Sequence, residues 1–486
     1  GRFFYCINSR TKYMTTTIAR KFLLAVAIIL LPAIGKAQQL DTPAIPKDSM
    51  NLDLTLNKAL EIALAESPSV KIANHEVKKV EYSRKGVLAS LFPQIDFGAD
   101  YSRTIKKQVM YMSGSMPGLG GENSEQQQKP SKNNGIAVGR NNTWSLGFSA
   151  SMPIIAPQLW KQLSITADNV ELAVEQSRQS KVTLINNVKQ AYYTVMLAND
   201  SYDVYKETYQ NAYNNYVDIS NKFDQGIVSE YDKIRADVAV KNIEPSLYEA
   251  ENAVALAKWQ LKALMGIDLD TSIDCEGSLQ DYKNKLEEEY MTIDTTMIAS
   301  NSTIKQLNIQ RKMVRKSKQA AQAEYYPTLG LAFSYKWNAM SEDFKFKNYQ
   351  WDPYSMVALS LKIPIFSSGK RFSALKQANI DMEEIELNKY DVERNLMVAV
   401  KNYTDKMRTS IKSHNVARAG IAQAQKGYDI AVKRYDTGAG TILEMDDSRL
   451  ALTRAKLQAN QAIFNFLSAK ASLEETMGYD ETSINE

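Results

Sequence analysis

Leu91-Phe92-Pro93-Gln94-Ile95-Asp96-Phe97 returns later in the chain as Tyr325-Tyr326-Pro327-Thr328-Leu329-Gly330-Leu331, and Lys222-Phe223-Asp224-Gln225-Gly226 returns as Arg434-Tyr435-Asp436-Thr437-Gly438. Internal repetition decides the fold before anything else does. The units are long, so the chain reads as a tandem duplication of one large module and not as a solenoid of short repeats. Around each echoed proline the pattern changes period. Before Pro93, Ala59-Leu60, Ala63-Leu64, Val70, Ala73 and Val77 recur at helical spacing, which predicts a helix over 54–92. After Pro93, Ile95, Phe97, Ala99 and Tyr101 alternate with Gln94, Asp96, Gly98, Asp100 and Ser102, which predicts a strand over 94–103 with one apolar and one polar face.

The same reading carries outward. A second alternating run with Trp144, Leu146, Phe148, Ala150 and Met152 on one side predicts a strand over 143–154, behind a long hydrophilic loop from about Ser113 to Asn142. Between Gln158 and Gln225 there is neither glycine nor proline. As one helix over 158–225, at about 1.5 Å per residue, that stretch is on the order of 100 Å long. No compact domain holds such a helix, and the seven-residue ladder Ala167, Val174, Val188, Val195, Tyr202, Tyr209, Tyr216, Phe223, broken only by Lys181, calls for coiled-coil neighbours. Gly226 allows a turn into a returning helix over 229–265, with a kink expected at Pro245. This completes a first repeat over 38–266. An acidic, polar linker over 267–290 follows. The second repeat, 291–478, predicts a helix over 291–324, strands over 328–337 and 356–366, a long helix over 369–434, a turn at Gly438 and a returning helix over 442–477. A short tail, 479–486, ends the chain.

The returning helix of the second half carries two heptad series, Leu443, Leu450, Leu457, Phe464, Ala471 and Met445, Leu452, Ala459, Phe466, Leu473. Two positions apart is about 200° around a helix, so the stripes lie on nearly opposite faces and call for a neighbour on each side, as in the wall of a helical tube.

Arg20-Lys21, the apolar run Phe22 to Leu31, and Gly35-Lys36-Ala37 read as a secretory signal peptide within residues 1–37, cut before Gln38, with Met14 as the expected start. The run is shorter than the roughly 18 to 20 residues of a spanning helix. The whole chain has formal charge +4; residues 1–37 hold six bases (Arg2, Arg10, Lys12, Arg20, Lys21, Lys36) and no acid, so the 59 basic residues fall to 53 against 55 acids and the balance to −2. That gives no footprint for nucleic acid. Cys275 is the single cysteine after the expected cleavage site, which excludes a disulfide framework. His75 and His414 are the two histidines, each alone on a predicted helix, and no phosphate loop, metal-ligand spacing or nucleophile motif is present. No enzyme activity, metal or cofactor is expected.

Four alternating strands of about ten residues match the lipid-out, lumen-in pattern of outer-membrane barrels, but the smallest such barrels have about eight strands. Closure would then need several copies of the chain.

The chain resembles the TolC family of bacterial outer-membrane efflux and secretion channels. The resemblance rests on Leu54-Thr55-Leu56-Asn57-Lys58-Ala59-Leu60 with Ser67-Pro68, on the strand boundaries at Pro93, Pro327, Pro153 and Pro364, on Ile363-Pro364-Ile365-Phe366-Ser367-Ser368-Gly369, and on two glycine turns each followed by a helix ending in Met-Gly. It implies an α+β membrane protein in which a homotrimer shares a twelve-stranded outer-membrane β-barrel, continued into the periplasm by a coiled-coil α-barrel whose shorter helices stack end to end. It implies a passive exit duct of a tripartite efflux or type I secretion system, with a periplasmic adaptor (membrane fusion) protein, an inner-membrane pump of RND, ABC or MFS type, and outer-membrane lipid as partners. The loops about Ser113–Asn142 and Ala339–Gln350 would face outside, and the Gly226 and Gly438 turns would form the periplasmic tip. By distance from the turn glycine, Glu444 and Asp447 fall on acidic pore-ring positions, and Tyr435 and Asp232 on a hydrogen-bonded latch pair. The usual basic latch residue is replaced by Gly440, and Met152-Pro153-Ile154-Ile155-Ala156-Pro157 departs from the usual glycine-bearing strand exit. The competing expectation from another class is a secreted or periplasmic coiled-coil scaffold without channel activity.

Overall fold

The computed structural model describes residues 52–110, 136–291 and 297–479. The expected signal peptide, most of the Ser113–Asn142 loop and nearly all of the C-terminal tail lie outside them. Within them the elements run β1 (Leu52–Leu54), α1 (Leu56–Glu66), α2 (Pro68–Ala89), β2 (Gln94–Arg103), β3 (Gln108–Met110), β4 (Ile136–Val138), β5 (Asn142–Ile155), α3 (Pro157–Asp224), α4 (Glu230–Met265), β6 (Ile273–Cys275), α5 (Leu286–Met291), α6 (Ser302–Ala323), β7 (Thr328–Ser341), β8 (Asp352–Lys362), α7 (Lys370–Asp436) and α8 (Ile442–Met477).

Several boundaries differ from the sequence expectation for local reasons. The helix expected over 54–92 is two helices, because the residue before a proline avoids the α region: Ser67 sits at ψ 129°, and Pro68 begins α2 at a position where its missing N–H costs nothing. The helix expected over 291–324 begins at Ser302, where the Asn301 carboxamide accepts from the N–H groups of Thr303 and Ile304. The strand expected over 356–366 is Asp352–Lys362, so Pro364, which has no N–H for a ladder, falls outside it, while β7 runs four residues past the expected end to Ser341. Despite Pro245, α4 is continuous over its 36 residues. The lost bond is one among many in a helix held along its length by α3.

In the lower part of the helical region the neighbours are α4, α3, α8 and α7 in that order; in the upper part they are α2, α3, α6 and α7. Thus α3, of 68 residues, and α7, of 67, run the full length, and the shorter helices occupy the remaining lanes. The lanes join end to end at two glycines. Gly266 (φ 73°) ends α4 where a Cβ would lie 2.8 Å from the Glu66 carbonyl oxygen and 3.0 Å from Ser67 Cα; Gly478 (φ 71°) ends α8 where a Cβ would lie 2.6 Å from the Ser300 carbonyl oxygen. Each Met-Gly therefore abuts the break that starts the next helix of its lane. α8 lies between α3 and α7, as its two stripes require. Its Met445 series is buried throughout, while Leu443 and Leu450 of the other series are exposed near the turn. The α3 ladder is not buried throughout either: Val188 and Val195 are fully buried but Val174 is exposed, because the neighbours of α3 change along its length.

The main apolar core lies midway, where Tyr192, Val195 and Met196 of α3 meet Leu261 and Met265 of α4, Ile463 and Phe466 of α8, and the segment around Leu279. There β1 pairs in parallel with β6, and the Tyr192 hydroxyl sits 2.8 and 2.7 Å from the carbonyl oxygens of Leu54 and Glu276. The 267–290 segment is thus an integral girdle around the middle of the helical region.

At the other end, β2, β5, β7 and β8 form one antiparallel sheet in that order. The register puts Phe97, Phe148, Tyr335 and Ser355 in one row, with Ile95, Ala150, Phe333, Val357 in the next and Leu331 beside Leu359 beyond it. The opposite face carries Asp96, Ser149, Ser334 and Met356, then Asp100, Ser145, Asn338 and Asp352. The alternation read from single strands therefore adds up to one apolar and one mainly polar side. A register shift between Pro153 and Ile155 interrupts the pairing of β5 with β7, whose last pair is Ile155 with Leu329.

Candidate functional site

The two turns that echo each other in sequence sit side by side. Gly226 and Gly438 both take the left-handed conformation (φ 73° and 71°) that a glycine adopts without Cβ strain. In each turn the residue after the glycine donates back to the long helix, Ile227 to the Lys222 carbonyl at 2.9 Å and Ala439 to the Arg434 carbonyl at 2.8 Å. Ser229 and Thr441 then cap the returning helices. Ile219, Ala236, Ala431, Ile442 and Met445 form one buried apolar cluster beneath both turns. The two hairpin ends of a chain are thus a single packed unit.

Of the residues singled out from sequence, Asp232 and Tyr435 approach each other without bonding. Asp232 completes a capping box, its Oδ2 accepting from the Ser229 hydroxyl at 2.7 Å and the Ser229 N–H at 3.3 Å. The Tyr435 hydroxyl is buried with no hydrogen-bond partner among the described residues; burial and then the nearby Asp232 charge push its pKa up. Glu444, exposed at the start of α8, lies 3.5 Å from the Arg434 guanidinium. Asp447 is exposed one turn further on. Gly440 has a steric reason: a Cβ there would sit 2.9 Å from Arg434 Cβ and 3.3 Å from the Glu444 carboxylate. A larger residue at that place would displace the Arg434–Glu444 contact.

Sequence reasoning missed two features of this region. Lys222 Nζ bonds Asp218 of its own helix at 2.7 Å and Asp436 of the other turn at 3.1 Å, so one ammonium ties the two hairpins together; its pKa is raised, chiefly by the bond to Asp218. Both residues belong to the echoed motifs, but nothing in one-dimensional spacing pairs them. Asp446 and the buried Arg449 pair at 3.0 Å, and burial pushes the Asp446 carboxyl up against the opposing pull of Arg449 and Arg235. That pair has the i, i+3 spacing of helix neighbours and was readable in principle.

Pro93 and Pro327 immediately precede β2 and β7, Pro153 lies at the register shift of β5, and Pro364 follows β8. Beyond Pro364, Gly369 (φ 81°) opens α7, and the buried Arg371 donates to the Pro364 carbonyl at 3.1 Å and to Ser367 Oγ at 2.9 Å while stacking on Tyr325 at 4.8 Å. Arg371 was not read from sequence. It pins the passage from sheet to helix.

The sheet is the second part of the site. Ile95, Val357, Leu359 and Leu361 are 71, 70, 65 and 61% exposed, and both edge strands, β2 and β8, have a free edge among the described residues. Near the hairpin ends of this apolar face Tyr101 and Trp144 lie 4.3 Å apart, Trp144 and Phe346 4.9 Å, and Tyr335 and Trp337 4.7 Å. At the helix end Phe92, Tyr326 and Phe366 are exposed. Two aromatic bands flanking an apolar sheet are the anatomy of a membrane-spanning barrel wall.

Among the described residues no helix is long and apolar enough to cross a membrane, and no group of three or more His, Cys, Asp or Glu is placed to hold a metal ion. Cys275 is buried in β6, and burial pushes its thiol up to about 11, which keeps it in the unreactive form at neutral pH.

The sequence profile of the outer membrane efflux protein family matches residues 59–267 and 295–479. The outer membrane protein TolC of Escherichia coli is 21% identical over 423 residues, covering 84% of this chain and 80% of that protein. The toxin and drug export protein A of Aggregatibacter actinomycetemcomitans is 23% identical over 443 residues, covering 88% and 87%. Among solved structures, the CmeC outer membrane channel of Campylobacter jejuni superposes with a TM-score of 0.66 at 18% identity, covering 88% of each chain.

Proposed function

Because the chain belongs to the outer membrane efflux protein family, we propose that three copies of it close their four-stranded sheets into one shared barrel of twelve strands and act as a passive exit duct from periplasm to exterior. The observation that carries this reading is the sheet. Among the described residues it has free edges on both sides, one exposed apolar face and one mainly polar face. Open edges cannot persist in hydrocarbon, where every backbone N–H and C=O must find a partner, and four strands are too few to close alone. The helical region has the same incompleteness. Its lateral margins, formed by α2 with α4 on one side and α7 on the other, carry exposed apolar side chains at helical spacing, among them Tyr231, Val238 and Trp259 on α4 and Phe372, Leu387 and Val398 on α7. A neighbouring copy on each side would cover them. A secreted scaffold has no use for an exposed apolar sheet between aromatic bands.

In this arrangement the β2–β5 and β7–β8 connections face the exterior, and the Gly226 and Gly438 turns form the periplasmic end, where a periplasmic adaptor and an inner-membrane pump would dock. Glu444 and Asp447 lie close to the turn, exposed at the start of α8, and three copies would bring six such carboxylates together. Extraction from the outer membrane in mild detergent is expected to yield a trimer that conducts in planar bilayers; a monomer without conductance would overturn the reading. Replacing Glu444 and Asp447 by Ala is expected to lower the cation preference of that conductance, and unchanged reversal potentials in a salt gradient would remove both from the pore.

A further inference from the structure

Just beyond the aromatic band at the hairpin end of the sheet, positive charge is in excess. Arg103 ends β2 two residues past Tyr101, and strand alternation keeps it on the apolar, outward face: it pairs in register with Asn142, which lies two residues before Trp144. Lys106 and Arg140 flank the same corner, all three exposed. The acids within reach are already satisfied. Glu342 accepts from Lys107 Nζ at 2.7 Å and from the Asn141 N–H at 3.3 Å, and the Lys107 bond above all holds it below the usual carboxylate range. Asp343 accepts from the Ser341 hydroxyl at 2.8 Å and the Lys345 N–H at 3.3 Å and is likewise held low, chiefly by Ser341. Among the described residues Arg103, Lys106 and Arg140 form no ion pair; Arg140 adds only a lesser pull on the Glu342 carboxylate, whose main partner is Lys107. Between Arg103 and Lys106 stands Ile105, 99% exposed, and the paired strands β3 and β4 add the exposed Val109, Met110 and Val138.

We propose that this corner, formed by Arg103, Lys106 and Arg140 above the aromatic band, is a binding surface for the phosphate-bearing lipid headgroups of the outer leaflet. The inference rests on the outer-membrane orientation proposed above. The occupant follows from two complementarities together. Cations placed just above an aromatic belt meet headgroup phosphates at the depth where those lie. The adjoining exposed apolar side chains suit an amphiphile and would be a liability toward a soluble anion. Arg103 faces outward by register, so the surface addresses lipid and not the lumen.

The full-length trimer, delipidated in detergent, is to be titrated with lipopolysaccharide carrying its lipid A phosphates, with the same lipid after phosphatase treatment, and with inorganic pyrophosphate. Saturable binding of the phosphorylated lipid is expected, weakened on the order of a hundredfold in the variant R103Q/K106Q/R140Q, since each of the three cations near a charged surface contributes about a fivefold effect. The variant R103K/R140K, which keeps the charge, is expected to bind within about threefold of the parent, since a lysine contributes to surface attraction much as an arginine does. Equal binding by the triple-glutamine variant, or equal binding of the dephosphorylated lipid, would overturn the proposal. Pyrophosphate displacing the lipid at matching concentration would assign a soluble-anion site instead and overturn the lipid assignment. Trimer mass and conductance of the triple-glutamine variant are expected to be unchanged, which separates failure here from failure of the channel reading.

Discussion

At the turns, the ion pair between the hairpins runs through a single ammonium, above the apolar cluster they share. Lys222 and Asp436 are 28 and 52% exposed at the side chain. Exposed ion pairs contribute about 0.2–1 kcal/mol, so the pair biases the relative position of the two hairpins without locking it. Asp436→Asn keeps the Asp218 partner of Lys222 and removes only the cross-turn contact. If the two hairpins of a chain move apart when the duct widens, that variant is expected to raise single-channel open probability by up to about fivefold, in line with that energy range. Tyr435→Phe, which removes a hydroxyl with no hydrogen-bond partner among the described residues, is expected to leave it unchanged. A large effect of Tyr435→Phe with none of Asp436→Asn would restore the tyrosine–aspartate latch implied by the family resemblance. That latch was not decidable from spacing, because the Asp232 carboxylate can reach either its own helix start or the neighbouring tyrosine. The local cap forms here, closing a ring within one turn at no cost in ordering distant groups.

Among the elements, the glycine junctions are the most sensitive places. Gly266 and Gly478 have positive φ and face backbone atoms of the next helix in the lane at 2.6 to 3.0 Å from a would-be Cβ, so nothing flexible can move aside. Gly478→Ala is expected to destabilise the folded chain by more than the roughly 1 kcal/mol of left-handed strain alone, read as a lower thermal midpoint of the detergent-solubilised protein. Gly86→Ala is the control: it lies inside α2 with open space around its Cβ position, and alanine there is expected to be neutral or stabilising by up to about 1 kcal/mol. Equal midpoints for the two variants would refute the junction argument. The echo of Met-Gly was visible in sequence; its reason was not. A C-terminal glycine signals the end of a helix, whereas the helix waiting beyond it is a fact of packing.

For the whole molecule, the decisive asymmetry is between the two sides of the sheet. Leu359 on β8 lies in the middle of the apolar face, opposite Leu331. Leu359→Lys is expected to cost about 2–4 kcal/mol at bilayer mid-depth and to reduce trimer recovery from the outer membrane. Ser360→Lys, one residue on and therefore on the polar face, is expected to be tolerated. Equal recovery of both would place the sheet out of the bilayer.

Much of this protein was settled by local sequence alone. Helix and strand alternate because period 3.6 and period 2 are properties of neighbouring residues, which is why α8, with bounds of 442 and 477, and β2, with bounds of 94 and 103, could be read directly. The duplication and the apolar face of each strand are equally one-dimensional. The tertiary structure decided what depends on neighbours far apart in the chain: that β5 pairs with β7 to merge two hairpins into one sheet, that β1 and β6 close a girdle at mid-length, that Lys222 reaches across to Asp436, and that Glu342 near Arg103 is taken by Lys107. Charges and sheet edges are satisfied by whichever group lies within hydrogen-bond reach, and reach across more than a hundred residues is set by how the lanes pack, not by spacing along the chain.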